Sequence, residues 1–425
     1  MRIAVVGAGI SGLASAFYLQ RAGHSVSLLE ANAYFGGHTA TVDVELDGLR
    51  SGVDTGFLVC NDRTYPGLLA LFSELDVALA NSEMSFAVRA DRDGIEWSGC
   101  SLATLFAQPK NLVNPKFLRF LADIVRFNRL TTAMVNEGRV ASMSLRQFLA
   151  EHRFGSALFD WYLWPMVGSI WSSPRNDVMD FDLQMLLRFC HNHGLLQISN
   201  RPQWMTVRGG ARNYVEKIVA TLKDARLKTP VRSITRSGSG VQVQVDSGIE
   251  VFDRVVMACH SDQALAMLAA PSAVERAQLS AVAYQPNRCV LHTDETLMPR
   301  SRRAWAAWNY LQVDDVNGVR PVALTYWLNR LQPLPFKTQL FETLNPPLEP
   351  SAEKVIAEFE YSHPLLNRAA VAAQSAVASI QGDNNTYYAG AWLANGFHED
   401  GLQSALRVVA MISSEANQTK GANAQ

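Results

Sequence analysis

Charge is scarce in this chain. Only 18% of its 425 residues are Asp, Glu, Lys or Arg, against about 25% in an average globular protein. Much of the chain is therefore expected to be buried or to line apolar space. The net charge of −1 gives no cationic field for a phosphodiester backbone, so no nucleic acid partner is expected. The five cysteines, Cys60, Cys100, Cys190, Cys259 and Cys289, include no CxxC pair. That excludes a zinc ribbon and a disulfide scaffold; reduced thiols suit a cytoplasmic setting. No run of 18 apolar residues occurs, so no membrane span is expected. Cys190-His191-Asn192-His193 crowds its ligand atoms on one element, where they rarely converge, and no metal is expected. No internal repeat, low-complexity segment, G-x-S-x-G or paired-carboxylate arrangement is present.

The informative part is the beginning. Ile3-Ala4-Val5-Val6 has the β-branched, apolar character of a buried strand. Gly7, Gly9 and Gly12 follow in the order G-x-G-x-x-G, and Ser11 to Arg21 has helical apolar spacing, closed by Gly23. Ser25–Leu29 is expected to be a second strand ending at Glu30. In that context the glycines permit a tight turn, a close approach of backbone to a diphosphate, and close helix–strand packing. Ile10 and Ser11 open a helix whose free N–H groups favour phosphate, and Glu30 with Ala31 stands where a ribose diol would be held. The same context argues against a signal peptide.

Gly36-Gly37-His38-Thr39 and Val53-Asp54-Thr55-Gly56 follow. Together with the first block they resemble the extended dinucleotide fingerprint of the flavin-containing amine oxidase superfamily, which includes amine oxidases, protoporphyrinogen oxidase and phytoene-type desaturases. Two later blocks resemble it too: Trp204–Ala211 with a helix from Asn213 and strands through Leu227–Ile234, Val241–Val245 and Val251–Ala258, and then Thr386–Trp392 with Gly396–Ala405. The resemblance implies FAD as cofactor. It places Gly36, Gly37, His38 and Thr39 along the diphosphate and ribityl, Val231 at the adenine, and Gly390, Ala391, Asp400, Gly401 and Leu402 by the flavin pyrimidine. Members usually carry Arg where this chain has His38. The implied fold is α/β: a Rossmann-like FAD-binding domain of the glutathione-reductase type with an inserted α+β substrate-binding domain. Residues 1–60, 201–264 and 381–415 would form the first, 61–200 and 265–380 the second, and 416–425 a polar tail. Seven of the nine tryptophans fall in the inserted pieces, as an apolar pocket or a packed helical lobe requires.

Ile170-Trp171-Ser172, Ala258–Leu265, Leu291–Asp294, Trp308-Asn309-Tyr310 and Gly396–Gly401 narrow the resemblance to a bacterial subgroup described as predicted NAD/FAD-binding proteins. It is associated with cyclopropane-fatty-acid synthase-like methyltransferases. That implies hydride transfer from an apolar, fatty acyl or lipid substrate to flavin, with a lipid methyltransferase as functional partner. Amine or polyamine oxidation is the alternative. Against it, the resemblance puts Arg288 where amine oxidases hold a lysine, and arginine is no base. Trp392 replaces their acid, and their aromatic pair is absent. A non-catalytic carrier on the same fold and a plain NAD dehydrogenase are further alternatives; the Gly-Gly-His-Thr and C-terminal blocks disfavour the last. His260 and His398 are the candidate bases, since imidazole titrates near neutrality, with Asp262 and Glu399 available to orient them. Finally, Lys110–Leu130 has five cations against one acid, and apolar residues at helical spacing. Such a helix can lie on an anionic bilayer or roof the substrate lobe, so the expected location is cytoplasmic with a peripheral membrane option.

Overall fold

The computed structural model describes residues 1–171, 174–195, 201–238, 240–312 and 322–422. Its first strand, β1 (Arg2–Val6), runs into the helix α1 (Ile10–Arg21) and on to β2 (Ser25–Leu29), parallel to β1. Arg254–Met257 pairs with the other side of β1, also in parallel. Ala225–Arg226 and Thr386–Tyr388 complete a five-stranded parallel sheet. The two-residue period of β1 sets the layers. Ile3 and Val5 pack under α1 and the C-terminal helix His398–Ala422. Ala4 and Val6 face a three-stranded antiparallel sheet, Val231–Ser237, Gly240–Val245 and Gly248–Phe252.

The remaining chain builds a seven-stranded mixed sheet. Its order is Val355–Pro364, Tyr284–His292, Phe341–Leu344, Ala323–Trp327, Trp308–Gln312, Phe86–Ala90 and Ile95–Ser98. Helices including Pro115–Asn136, Trp164–Trp171 and Leu183–Asn192 pack on one face of this sheet around a core rich in Trp, Tyr and Phe.

Several boundaries differ from the sequence expectation, for local reasons. The apolar run 251–258 is two strands in two sheets, broken at Asp253, whose carboxylate accepts the Arg2 backbone N–H at 2.7 Å. The strand expected from Leu227 begins at Val231, after Pro230 and a left-handed Lys228. The basic helix starts at Pro115 and not at Lys110. Asn114 caps it by accepting from the Lys116 and Phe117 N–H groups, with proline at the first helical position, where its missing N–H costs nothing. The helix assigned to the C-terminal block continues into the expected polar tail as far as Ala422, there being no proline or glycine between Leu402 and Lys420; 423–425 and Ser172 lie outside the described residues.

Close contact between α1 and β1 depends on Gly12. A Cβ there would lie 1.8 Å from the Gly7 carbonyl oxygen, whereas one on Gly9 would meet nothing within 4 Å. Gly12→Ala is therefore expected to cost about 3 kcal/mol or more, the upper end of overpacking effects. Gly9→Ala should leave the stability of the apoprotein nearly unchanged. Denaturant unfolding of the two apoproteins checks the contrast.

Candidate active site

A cavity of about 1280 Å³ opens outside the carboxyl ends of the parallel strands and extends between the two sheets. Small-molecule sites usually measure ~300–1,000 Å³, so this one has room for a dinucleotide and a substrate. At one end stands the N-terminus of α1. Its N-cap is Gly9, which supplies no side-chain cap. The first amides and the positive end of the helix dipole therefore serve whatever lies in the crevice. The space a Gly9 Cβ would point into is open. Glu30 closes this end: its carboxylate accepts the Ala8 N–H at 2.7 Å and the Asn32 N–H at 2.9 Å. Each oxygen keeps lone-pair capacity for a ribose hydroxyl. Ile10, Ser11, Ala31, Gly36, Gly37 and Val231 line the same space. A Cβ on Gly37 would come within 3.1 Å of the Gly9 Cα, so the Gly-Gly turn is folded onto the helix start. These residues fit FAD: an uncapped helix N-terminus, backbone that can approach a diphosphate, and an acid at the second strand's end.

Four imidazoles from four different parts of the chain gather on the wall. His38, next to Gly37, has ring centroids 6.2 Å from His260 and 5.7 Å from His363. It donates to the Ser362 carbonyl, and its Nε2 is buried without a hydrogen-bond partner among the described residues. Burial, reinforced by the neighbouring imidazoles, lowers its pKa to about 3. Burial lowers His363 to about 4 and His398 to about 3. His260 caps the helix Ser261–Met267 and stacks on Tyr284 at 4.2 Å; burial lowers it and the Asp262 carboxylate opposes the shift. His398 stacks on Phe57 at 3.8 Å, and its Nε2 meets the hydroxyls of Thr39 at 2.8 Å and Tyr214 at 3.2 Å. At neutral pH the cluster is uncharged.

The structure does not bring all the expected site residues to the cavity. Arg288 points away, into ion pairs with Glu349 and Glu358 on the outer face of its sheet, and it does not reach the crevice. Thr39 sits behind the wall and holds His398. Gly390 and Ala391 line the cavity, but Asp400, Gly401 and Leu402 do not, because the helix starts at His398 and presents Asn395–His398 instead. Asp400 accepts the Phe397 N–H at 3.0 Å, the Gly401 carbonyl accepts the Ser11 hydroxyl at 2.9 Å, and Leu402 is core. Glu399 orients no histidine. It receives the Gly67 and Leu68 amides at 2.9 and 2.8 Å, capping the helix Pro66–Glu74. His363 and Tyr361, which the motifs did not reveal, reach the site from the strand Val355–Pro364. Asp54 was visible only as part of a motif. It accepts the Thr41 hydroxyl at 2.5 Å and the Ala211 amide at 2.8 Å, so it ties the segment before Gly56 to the later block. His193 lines the cavity, stacked on Phe189 at 4.0 Å.

A parallel sheet with an uncapped glycine turn, an acid at the next strand end and a second sheet facing the crevice define a two-lobed dinucleotide-binding flavoprotein. The chain belongs to the flavin containing amine oxidoreductase family, whose model matches residues 10–313, and FAD is its cofactor. A Mycobacterium tuberculosis protein assigned as a flavin-containing monoamine oxidase is 28% identical over 256 residues. That match takes in 58% of this chain and 54% of the relative, so the chain spans about half the length of the curated relatives it matches. Among solved structures, putrescine oxidase bound to putrescine superposes with a TM-score of 0.69 at 15% identity, covering 97% of this chain and 99% of that one. A CLA-producing fatty acid isomerase from P. acnes superposes with a TM-score of 0.65 at 17% identity, covering 96% and 98%. At these identities the superpositions establish the fold.

Two outcomes follow for the site. Glu30→Ala removes charge-assisted hydrogen bonds of about 1.5–3 kcal/mol, so FAD retention should weaken by roughly one to two orders of magnitude. Equilibrium dialysis against FAD measures it; unchanged retention would remove Glu30 from the site. The second concerns pH. An unfolded histidine takes its proton near 6.5, while His398 in the fold does so only at about 3. Its share of stability is thus complete above about pH 6.5 and is lost as the pH falls toward its folded value. Measured in the apoprotein between pH 7 and 4, the parent should lose ground to His398→Asn by up to about 1.4 kcal/mol per pH unit. A pH-independent difference would refute the neutral assignment.

Proposed function

We propose that the chain is an FAD-dependent oxidoreductase acting on the acyl chain of an anionic lipid or fatty acid. What carries this reading is the charge and polarity of the cavity arm that enters the helical lobe. Trp97, Tyr162, Met166, Trp171, Phe189 and Trp308 line it. Among the described residues three carboxylates reach the cavity wall, and each is already engaged or turned outward. Glu30 is engaged at the β2 end. Glu83 is paired with Arg330. Glu360 is exposed on the edge strand, on the face opposite Tyr361. The one Arg or Lys on the wall among the described residues is Arg201, exposed and close enough to Tyr162 for its charge to act on the phenol. An apolar arm with a cation at its rim suits an amphiphile with an anionic head. An ammonium group would enter without a counter-charge, at a desolvation cost of several kcal/mol.

Bound FAD supplies the hydride acceptor. The chain's own residues do the rest. The aromatic arm holds the acyl chain and excludes water. A proton lost from the carbon next to the hydride donor needs a neutral base. His260 is the strongest candidate, because Asp262 offsets the effect of its burial; His38, with an unpartnered Nε2, is the second. His398 has its Nε2 taken up by Thr39 and Tyr214 and serves to hold the wall.

Anaerobic mixing of the FAD-loaded protein with fatty acids or phospholipids in detergent micelles should bleach the visible flavin absorbance. Putrescine, spermidine and benzylamine should leave it unchanged. Bleaching by the amines and not by acyl lipids would overturn the substrate assignment.

A further inference from the structure

The helix Pro115–Asn136 turns Phe117, Phe120 and Phe127 inward onto the aromatic cluster. Its outer face is not the uniformly polar one expected of a surface helix. Leu118 and Val125 are exposed on it, one heptad apart, and the preceding turns add Leu102, Leu112 and Val113. Val113 and Leu102, at 82% and 76% exposure, are the most exposed large apolar side chains among the described residues. Around them stand Lys110, Lys116, Arg119, Arg126 and Arg129, all exposed. From residue 101 to 130 the single acid is Asp123, which is buried and paired with Arg126; from outside that stretch Asp93 pairs with Lys116 at 3.4 Å. Apolar tips set among cations complement an anionic bilayer: the tips enter the acyl boundary while the cations meet lipid phosphates.

The second observation is where the cavity ends. Its aromatic arm passes Trp97 and reaches Gly99 and Cys100, which are exposed and separated from Leu102 by Ser101 alone. Trp97 in turn packs on Phe120, on the inner side of the same helix, at 5.4 Å. The apolar patch and the end of the apolar arm are therefore neighbours. We propose that this face docks the protein on an anionic lipid surface, with the Gly99–Cys100 end of the arm toward the bilayer. An acyl chain then passes from membrane to crevice without crossing water. This rests on the acyl-chain reading for its purpose, but docking itself needs no turnover.

The test is co-sedimentation of the full FAD-loaded protein with vesicles of phosphatidylglycerol or of phosphatidylcholine, at low and high salt. The parent should bind phosphatidylglycerol vesicles, less so as salt rises, and phosphatidylcholine vesicles far more weakly. The Leu112→Asp, Val113→Asp double variant should lower binding at least roughly tenfold, and Arg119→Glu at least about fivefold. Circular dichroism and flavin absorbance should stay unchanged in both. No vesicle binding by the parent, or equal binding by parent and variants, overturns the proposal. So does a solution dimer that Val113→Asp dissociates in a protein that ignores vesicles, which would assign the face to a second copy. Vesicle binding without flavin reduction by micellar lipid would sink the substrate reading and leave docking standing; the reverse result would do the opposite.

Discussion

The arrangement depends on how closely α1 can lie against β1. With no side chain on Gly12, the helix sits on the carbonyl of Gly7. That contact aims the uncapped N-terminus along the end of the sheet and into the crevice. It also fixes the C-terminal helix, because α1 is its main support: the Ser11 hydroxyl donates to the Gly401 carbonyl, and Leu402 and Ala405 share the core with Leu13 and Ala16. A Cβ on Gly401 would press on Ile10 and Ser11, at 2.8 and 2.9 Å. Two glycines from opposite ends of the chain thus let two helices and a strand meet, and the crevice is what that junction leaves open.

Charge compensation inside the crevice follows from the same geometry. Where relatives carry arginine after the two glycines, this chain has His38, with the other imidazoles gathered near it and all held neutral by burial. Arg201, the one permanent cation on the wall among the described residues, belongs to the arm beside Tyr162 and not to the glycine turn. The two negative charges of a diphosphate would therefore be met by the amides and dipole of α1. Side chains near it contribute neutral hydrogen-bonding groups. Among the described residues, Glu30 is then the one charged side chain at the glycine-turn end of the crevice at neutral pH.

What the sequence disclosed was what lies close together along the chain. β1, α1, β2, the three glycines and Glu30 form one local unit, in which each residue type has a mechanical reason for its place. Elements joined across the chain were not legible. His363 lies in no motif and reaches the site only because the edge strand Val355–Pro364 pairs with Tyr284–His292. Arg288 shows the opposite failure. Its strand was identified but not its face: side chains alternate along a strand, so a shift of one residue separates the cavity side from the solvent side. Cys289 and Leu291 face the core and Arg288 faces Glu358. In the C-terminal block the cavity is lined by Gly390, Ala391 and Asn395–His398, whose last residue lies two positions before the Asp400–Leu402 turn that the sequence suggested. Nothing local announced that Glu399 would cap a helix more than 300 residues earlier.

The neutral histidines and the aromatic arm share one property: both are buried surfaces on which an unpaired charge is costly. Burial strong enough to keep His38, His363 and His398 unprotonated at neutral pH penalises any other unpaired cation brought to the same place. A substrate ammonium would have to lose its proton or bring a counter-charge, and the described residues of the arm provide no free carboxylate. An acyl chain pays no such penalty and gains from leaving water, by roughly 0.8 kcal/mol for each methylene buried. On the proposed acyl-chain reading, the polarity of the wall would select against the charge an amine carries before any contact at the reacting carbon is made. The tryptophans and phenylalanines of the arm also pack the helical lobe, so on that reading they would both stabilise the lobe and set what can enter it.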